Sequence, residues 1–280
     1  MTSTEPDGAV LPSGSVPPAF PASASMTVSL HENVVGDGGP VTVFAHGLGE
    51  SIVAARPLGT GLAGTRVFFD FRGHGASTVA EPDKAEWGYP ALAEDLRSVA
   101  DAHGATRAVG TSMGAATLLR LLSQTPDRFE RLVFFLPAAL DSVRAEGQDR
   151  LDELARLVEG GDPEPLAAAL LAYLPAAVRH SRVAAVHARG SAVELVSSDV
   201  SRVMRAIGRA APLPSLDVLA SVRVPALVIG QEGDDVHRLV VARRLAGALP
   251  DARLEIFGPG GALWQERRRL RAVLNDFLGD

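Results

Sequence analysis

Short apolar runs alternate with amphipathic stretches along most of this chain. Residues 41–45, 66–69, 106–109, 131–136, 224–229 and 253–257 are apolar with little polar alternation. Such runs suit parallel strands covered on both faces. Residues 26–35 read as an earlier extended segment, ending at the turn signal Gly36-Asp37-Gly38-Gly39. Between the runs the apolar period changes to that of a helix. Residues 89–103 carry Leu92, Leu96 and Val99 on one face and stop at Gly104. Further helices are predicted after residue 114 to about Gln124, over 237–249 and over 263–278, with a weaker one over 51–61. This alternation predicts a doubly wound, mostly parallel α/β sheet.

Residues 137–214 break the pattern. Ala, Leu and Arg dominate, apolar positions such as Leu151, Leu154, Leu157 and Val158 recur at helical spacing, and no strand is evident. The segment reads as a helical insertion between core halves 26–136 and 215–280. Residues 1–25 are rich in Pro, Ser and Ala, without the basic start and apolar core of a secretory signal. They read as a disordered N-terminal arm.

Composition narrows the chemistry. The 280 residues are 46% hydrophobic and 21% charged, with a net charge of -6, which offers no basic footprint for nucleic acid. There are no cysteines, so disulfides, thiolate metal sites and cysteine nucleophiles are excluded. No H-x-x-x-H spacing, dinucleotide fingerprint or phosphate loop occurs, so neither a metal nor any other cofactor is expected. No run approaches the ~18 apolar residues of a membrane span. A cytoplasmic protein acting on a small molecule is the expectation; the oligomeric state is not legible.

In a doubly wound sheet, sites form outside the carboxyl ends of the strands. The informative loops are therefore 46–50, 70–77, 110–114, 230–237 and 258–261. Among them Gly110-Thr111-Ser112-Met113-Gly114 reads G-x-S-x-G between a strand and a helix. A sharp turn there exposes the serine Oγ, and the Met113 amide opens the following helix, where it can donate to a developing oxyanion. The competing reading is a serine that merely caps the helix.

With these motifs in place the chain resembles the α/β-hydrolase superfamily from about residue 26 to its C-terminus, with a lid-type insertion at 137–214. His46-Gly47, the loop Asp70-x-Arg72-Gly73-His74-Gly75-x-Ser77 and the G-x-S-x-G turn occur in the family's order. The resemblance implies Ser112 as nucleophile, the Leu48 and Met113 amides as oxyanion hole, and an acid after the strand at 224–229. Asp234 fits that position, with Asp235 as the alternative. The site-bordering residues His46, Phe71, Phe135 and Trp264 are the candidates for contact with an apolar, carbonyl-bearing substrate. His46 and His74 have a competing role as hydrogen-bonded loop ties, and the aromatic residues as core.

The base departs from the family's pattern. The family places a histidine after the last strand; here Gly261 stands at about that position, and no histidine follows His237. Of the seven histidines, His237 is the candidate, three residues past Asp234 at the expected start of a helix. Its competing reading is a solvent-facing residue of the first helical turn. His180 and His187, seven residues apart, share a face if helical, as a lid-borne base or a surface stripe. The expected activity is cofactor-free hydrolysis of a small ester, lactone or thioester through a Ser112 acyl-enzyme. The alternatives are a lyase, isomerase or cyclase on the same fold, and a catalytically silent binding protein.

Overall fold

The computed structural model describes residues 28–143 and 145–279; the arm expected over 1–25 lies outside them. The chain begins with β1 (Val28–Ser29), β2 (Glu32–Val35), β3 (Val41–Ala45), α1 (Ile52–Ala55), β4 (Thr65–Phe69) and β5 (Thr78–Val79). It continues with α2 (Tyr89–Ala102), β6 (Arg107–Thr111), α3 (Met113–Leu122) and β7 (Arg131–Phe135). Four helices follow: α4 (Ala145–Glu159), α5 (Pro163–Tyr173), α6 (Arg182–Leu195) and α7 (Val200–Gly208). The last elements are β8 (Ala226–Gln231), α8 (Leu239–Ala248), β9 (Ala252–Phe257) and α9 (Arg267–Gly279).

Seven strands form one sheet in the order β2-β4-β3-β6-β7-β8-β9. Only the edge strand β2 runs antiparallel; the others are parallel. Alternate side chains leave the sheet on opposite faces. Val43, Val67, Phe69, Leu132 and Phe134 meet α2, α3 and α8 through Leu92, Leu96, Leu118 and Leu245. Phe44, Phe68, Val133, Phe135 and Ile229 meet α1 and α9 through Ile52, Leu270 and Leu274. Both faces are therefore dry, which is why the strands read as unbroken apolar runs.

Register places the site. Gly110 pairs with Ala45 on one side and Phe134 on the other, so the carboxyl ends of β3, β6 and β7 lie level. The residues that follow, His46, Ser112 and Leu136, start neighbouring loops on one edge. Between β7 and β8, α4 to α7 build their own apolar cluster from Leu154, Val158, Leu166, Leu195 and Met204. Leu48 packs against it and so joins the insertion to the sheet edge. Among the described residues, 137–214 hold no strand.

Some boundaries differ from expectation. Over its described part, 28–35, the extended segment is two strands, because the 70–77 loop claims His31 between them. His31 O accepts from Asp70 N–H at 2.9 Å, and its own N–H donates to Ser77 Oγ at 2.9 Å. The weak helix at 51–61 is one turn of α1 followed by a 3₁₀ turn at Arg56–Gly59, with Pro57 in that turn. The C-terminal helix is preceded by a wide turn over Gly261–Gln265, so that α9 starts only at Arg267. The helix expected over 237–249 starts two residues late, at Leu239.

Candidate active site

β6 and α3 meet at Ser112 with almost no connecting loop. Its backbone is left-handed, with φ 49 and ψ -103, a conformation that costs a non-glycine residue about 1–3 kcal/mol. The turn is possible because Gly110 and Gly114 lack side chains. A Cβ on Gly110 would come within 2.6 Å of Gly114 O, and one on Gly114 would collide with the Ala45 carbonyl. The elbow is anchored by Ser112 N–H donating to Phe135 O at 2.9 Å. The side-chain oxygen makes no capping bond to the helix, so the capping role is not what holds this serine.

Oγ lies 2.9 Å from His237 Nε2, and His237 Nδ1 lies 3.0 Å from Asp234 Oδ2. The other carboxylate oxygen, Oδ1, accepts the backbone N–H groups of Val236 at 2.9 Å and His237 at 2.8 Å. These two bonds close a turn of the kind Asp forms with its own backbone. The helix starts late because Arg238 is extended, with φ -55 and ψ 128, so that α8 begins only at Leu239. His237 is therefore a loop residue turned toward the elbow, not a solvent-facing residue of the first helical turn.

Electrostatics support a charged Asp234. Burial raises its pKa, but the hydrogen bonds and charge of His237, with the Val236 amide, outweigh burial and hold the carboxyl below its usual range. With Oδ2 as acceptor, Nδ1 carries the proton and Nε2 is left as the acceptor toward Ser112 Oγ. A hydroxyl facing such a nitrogen is set up to lose its proton to it.

Gly261, at the family's usual base position, has φ 84 and sits beside Gln231. Gln231 ends β8 as a buried polar residue. Its Oε1 accepts from Ala262 N–H at 3.0 Å, and its Nε2 lies 3.5 Å from Asp234 Oδ2. It ties the Asp234 loop to the last loop. Its signal in the sequence is a lone amide closing an apolar strand at the carboxyl edge, outside any motif.

None of the other six histidines hydrogen-bonds Ser112 Oγ among the described residues, although His187 lines the cavity above it. His31 pairs with Asp70 at 2.8 Å and His103 with Glu32 at 2.6 Å. His180 lies ahead of α6, so it does not share a helix face with His187. The His187 ring meets Trp264 edge-on at 5.8 Å. His46 and His74 are buried beneath the loops. His46 Nδ1 donates to Gly47 O at 2.7 Å while Nε2 accepts from Phe71 N–H at 3.0 Å. The ring thereby fixes the start of the 47–50 loop, which Gly47 N–H also ties to Glu50 Oε2 at 2.8 Å. Neither the Leu48 nor the Met113 amide has an acceptor among the described residues. Both are available to an oxyanion.

Burial and the neighbouring His46 ring push the His74 pKa down from 6.5 to about 3, against the rise caused by its bond to Arg72 O. Burial lowers His46 as well. The unfolded chain protonates both rings near pH 6.5 and the folded chain does not, so the unfolded state binds more protons below that pH. Stability should therefore fall as pH drops from about 6.5 toward 3, by up to ~1.4 kcal/mol per pH unit for His74, with His46 adding in the same direction. Urea midpoints between pH 7 and pH 5 measure the slope. His74→Gln should flatten it; an unchanged slope would discard this origin of acid sensitivity.

Above the elbow lies a cavity of about 610 Å³. Leu48, Leu136, Asp234, His237 and Trp264 reach it from the sheet edge, and Leu154, Leu170, Leu195 and Met204 from the insertion. Trp264 is thus a wall residue. His46, Phe71 and Phe135 are not: each is fully buried beneath the site. The reason is the two-residue period of the strands, which turns Phe135 onto the α1/α9 face and leaves Leu136, with φ 51, at the edge. No group of three or more His, Cys, Asp or Glu side chains placed to hold a metal occurs among the described residues. None of their helices is long and apolar enough to cross a membrane.

A parallel sheet with a serine elbow after its central strand, and a helical insertion before β8, defines a hydrolase-type α/β architecture. The model of the α/β hydrolase fold family matches residues 40–267; the chain belongs to that family. Among solved structures it is similar to an enol-lactonase from Burkholderia xenovorans LB400, with 24% identity, TM-score 0.76 and coverage of 92% of this chain and 99% of that one. It is also similar to an esterase from Exiguobacterium antarcticum, with 20% identity, TM-score 0.74 and coverage of 90% and 96%. A thermophilic esterase from Thermogutta terrifontis shares 21% identity, TM-score 0.71 and coverage of 88% and 92%.

Proposed function

We propose that this protein is a cofactor-free serine hydrolase of small esters, lactones or thioesters, with acid and base carried on one loop. The observation that carries the reading is the chain of contacts from Ser112 Oγ to His237 Nε2 at 2.9 Å and from His237 Nδ1 to Asp234 Oδ2 at 3.0 Å. Ser112 Oγ attacks the substrate carbonyl carbon as its proton passes to His237 Nε2. The carbonyl oxygen takes up the negative charge and accepts from the Leu48 and Met113 amides, each such donor being worth about 10²–10³ in turnover. The protonated imidazole returns the proton to the departing alkoxide or thiolate. Water then attacks the acyl-enzyme, giving its proton to the same nitrogen, and Ser112 is regenerated.

Helices α4 to α7 act as a lid over the acyl group. The apolar wall that Leu154, Leu170, Leu195 and Met204 give the cavity supports this role and favours an apolar acyl chain near the carbonyl. The esterase and lactonase relatives support the reaction class. A fluorophosphonate probe tests the nucleophile. The unmodified protein should label at Ser112, and Ser112→Ala should not while keeping its circular dichroism. Absence of labelling in the unmodified protein would reject an activated serine and favour a silent site.

A further inference from the structure

A second cavity, of about 240 Å³, lies behind the acid loop. It shares Tyr173, Leu174, Pro175 and Val236 with the cavity above the elbow. The two spaces therefore share a wall, and Val236 on it is the chain neighbour of His237. The new space differs in its chemistry, because Arg150 and Arg179 both face it.

Neither guanidinium has a carboxylate partner among the described residues. In the same insertion Arg189, Arg202, Arg205 and Arg209 each reach a carboxylate, while Arg156 and Arg182 make no ion pair among the described residues but do not line this cavity. Arg150 instead lies over the Tyr173 ring, 4.8 Å from its centroid. Arg179 is only partly exposed, and its Nε is buried without a hydrogen-bond partner. A buried donor left unmade is costly, and two cations facing one small cavity repel each other. Asp235, on the same wall, forms an ion pair with neither. Its one negative charge leaves the three groups with a net positive charge. Both deficits are met by an anion that accepts from Arg179 and Arg150 together, as planar guanidinium groups do for carboxylate or phosphoryl oxygens. Arg267, at the rim of the elbow cavity, commits only its Nε, to Leu263 O, and as a single variant Arg267→Gln serves as the control for it.

We propose that Arg150 and Arg179 bind an acidic group of the substrate, a carboxylate or phosphoryl group, while its ester carbonyl lies at Ser112. The substrate is then an acid-bearing ester or lactone with an apolar stretch between the two functions. The inference rests on the hydrolase reading given above, and a binding measurement separates the two.

The test compares the 4-nitrophenyl monoester of glutaric acid with its methyl-capped diester, which is neutral and nearly the same size. The unmodified protein should favour the acid-ended ester in kcat/KM by about tenfold or more, the scale of one charge-assisted contact at a part-exposed site. In Arg150→Gln/Arg179→Gln the ratio should fall to about one through KM, with kcat for the methyl-capped ester unchanged as proof of folding. A ratio near one in the unmodified protein, or a preference retained by the double variant, overturns the proposal. Glutarate, which has no scissile bond, supplies the separate readout. If glutarate raises the Tm of the unmodified protein but not of the double variant while no ester is turned over, the anion site stands and the hydrolase reading falls. If inorganic phosphate raises the Tm as well as glutarate does and the acid-ended ester gains nothing, the cavity takes a free anion and substrate recognition there is overturned.

Discussion

Replacing His237 with alanine is expected to lower ester turnover about 10⁶-fold, the typical effect of removing the histidine from a serine triad. The protein should stay folded. The side chain is 21% exposed and its bonds run to Ser112 and Asp234 rather than into either face of the core. Its removal leaves no large cavity of the kind that makes core truncations costly. Residues that act as one unit lose activity together, so Ser112→Ala/His237→Ala should be no slower than either single variant. Introducing a histidine at Gly261 in the His237→Ala background should not restore turnover. At φ 84 a histidine is strained, and its Cβ would sit 3.0 Å from Trp264 Cδ1 and 3.4 Å from Gln231 Oε1. Steady-state hydrolysis of 4-nitrophenyl butyrate measures all of this. A His237→Ala variant within tenfold of the unmodified protein would dismiss His237 as the base.

What the sequence made legible was local, and what it concealed was tertiary. Ser112 could be read because a strand, two glycines and a helix specify an elbow within a few residues, and Gly110 and Gly114 are needed there for close backbone approach. The parallel sheet could be read because both of its faces are covered, which leaves the strands uniformly apolar. His237 was legible only as a candidate, chosen by its distance from Asp234 and by the glycine at 261. Its orientation depends on Asp234 Oδ1 taking two backbone amides, and the helical pattern of 237–249 hides such a side-chain bond. His46, Phe71 and Phe135 take the competing loop-tie and core places, because proximity to a motif in the chain is not proximity to the cavity. The wall residues of the insertion, Leu170 and Leu195 among them, were not legible. Which face of an insertion helix looks toward the cavity is decided by its packing on other helices, and α6 has apolar residues on more than one side. Arg150 and Arg179 were likewise only two of many arginines until the fold brought them to one small cavity.

Asp234→Asn is the second large effect, expected at about 10⁴-fold in kcat, and it separates the two candidate acids. An asparagine can still accept the Val236 and His237 amides through its carbonyl oxygen, so the loop should keep its shape. The position of Oδ2 then becomes an NH₂ group, which donates and cannot accept the Nδ1 proton. The imidazole shifts its proton to Nε2, the nitrogen 2.9 Å from Ser112 Oγ, and the serine loses its base without losing its neighbour. Asp235→Asn should leave turnover of neutral esters within about threefold, because its side chain faces the second cavity and only an acidic substrate senses it. The stability change follows from the direction of the Asp234 shift. Its folded pKa lies below its unfolded value, so its contribution is present above the usual carboxylate range and is lost as pH falls through the folded value. Urea midpoints of the unmodified protein and Asp234→Asn should therefore differ at pH 7 and converge toward pH 3. Equal losses of turnover in the Asp234 and Asp235 variants, or a stability gap that widens in acid, would count against Asp234 as the residue that orients the base.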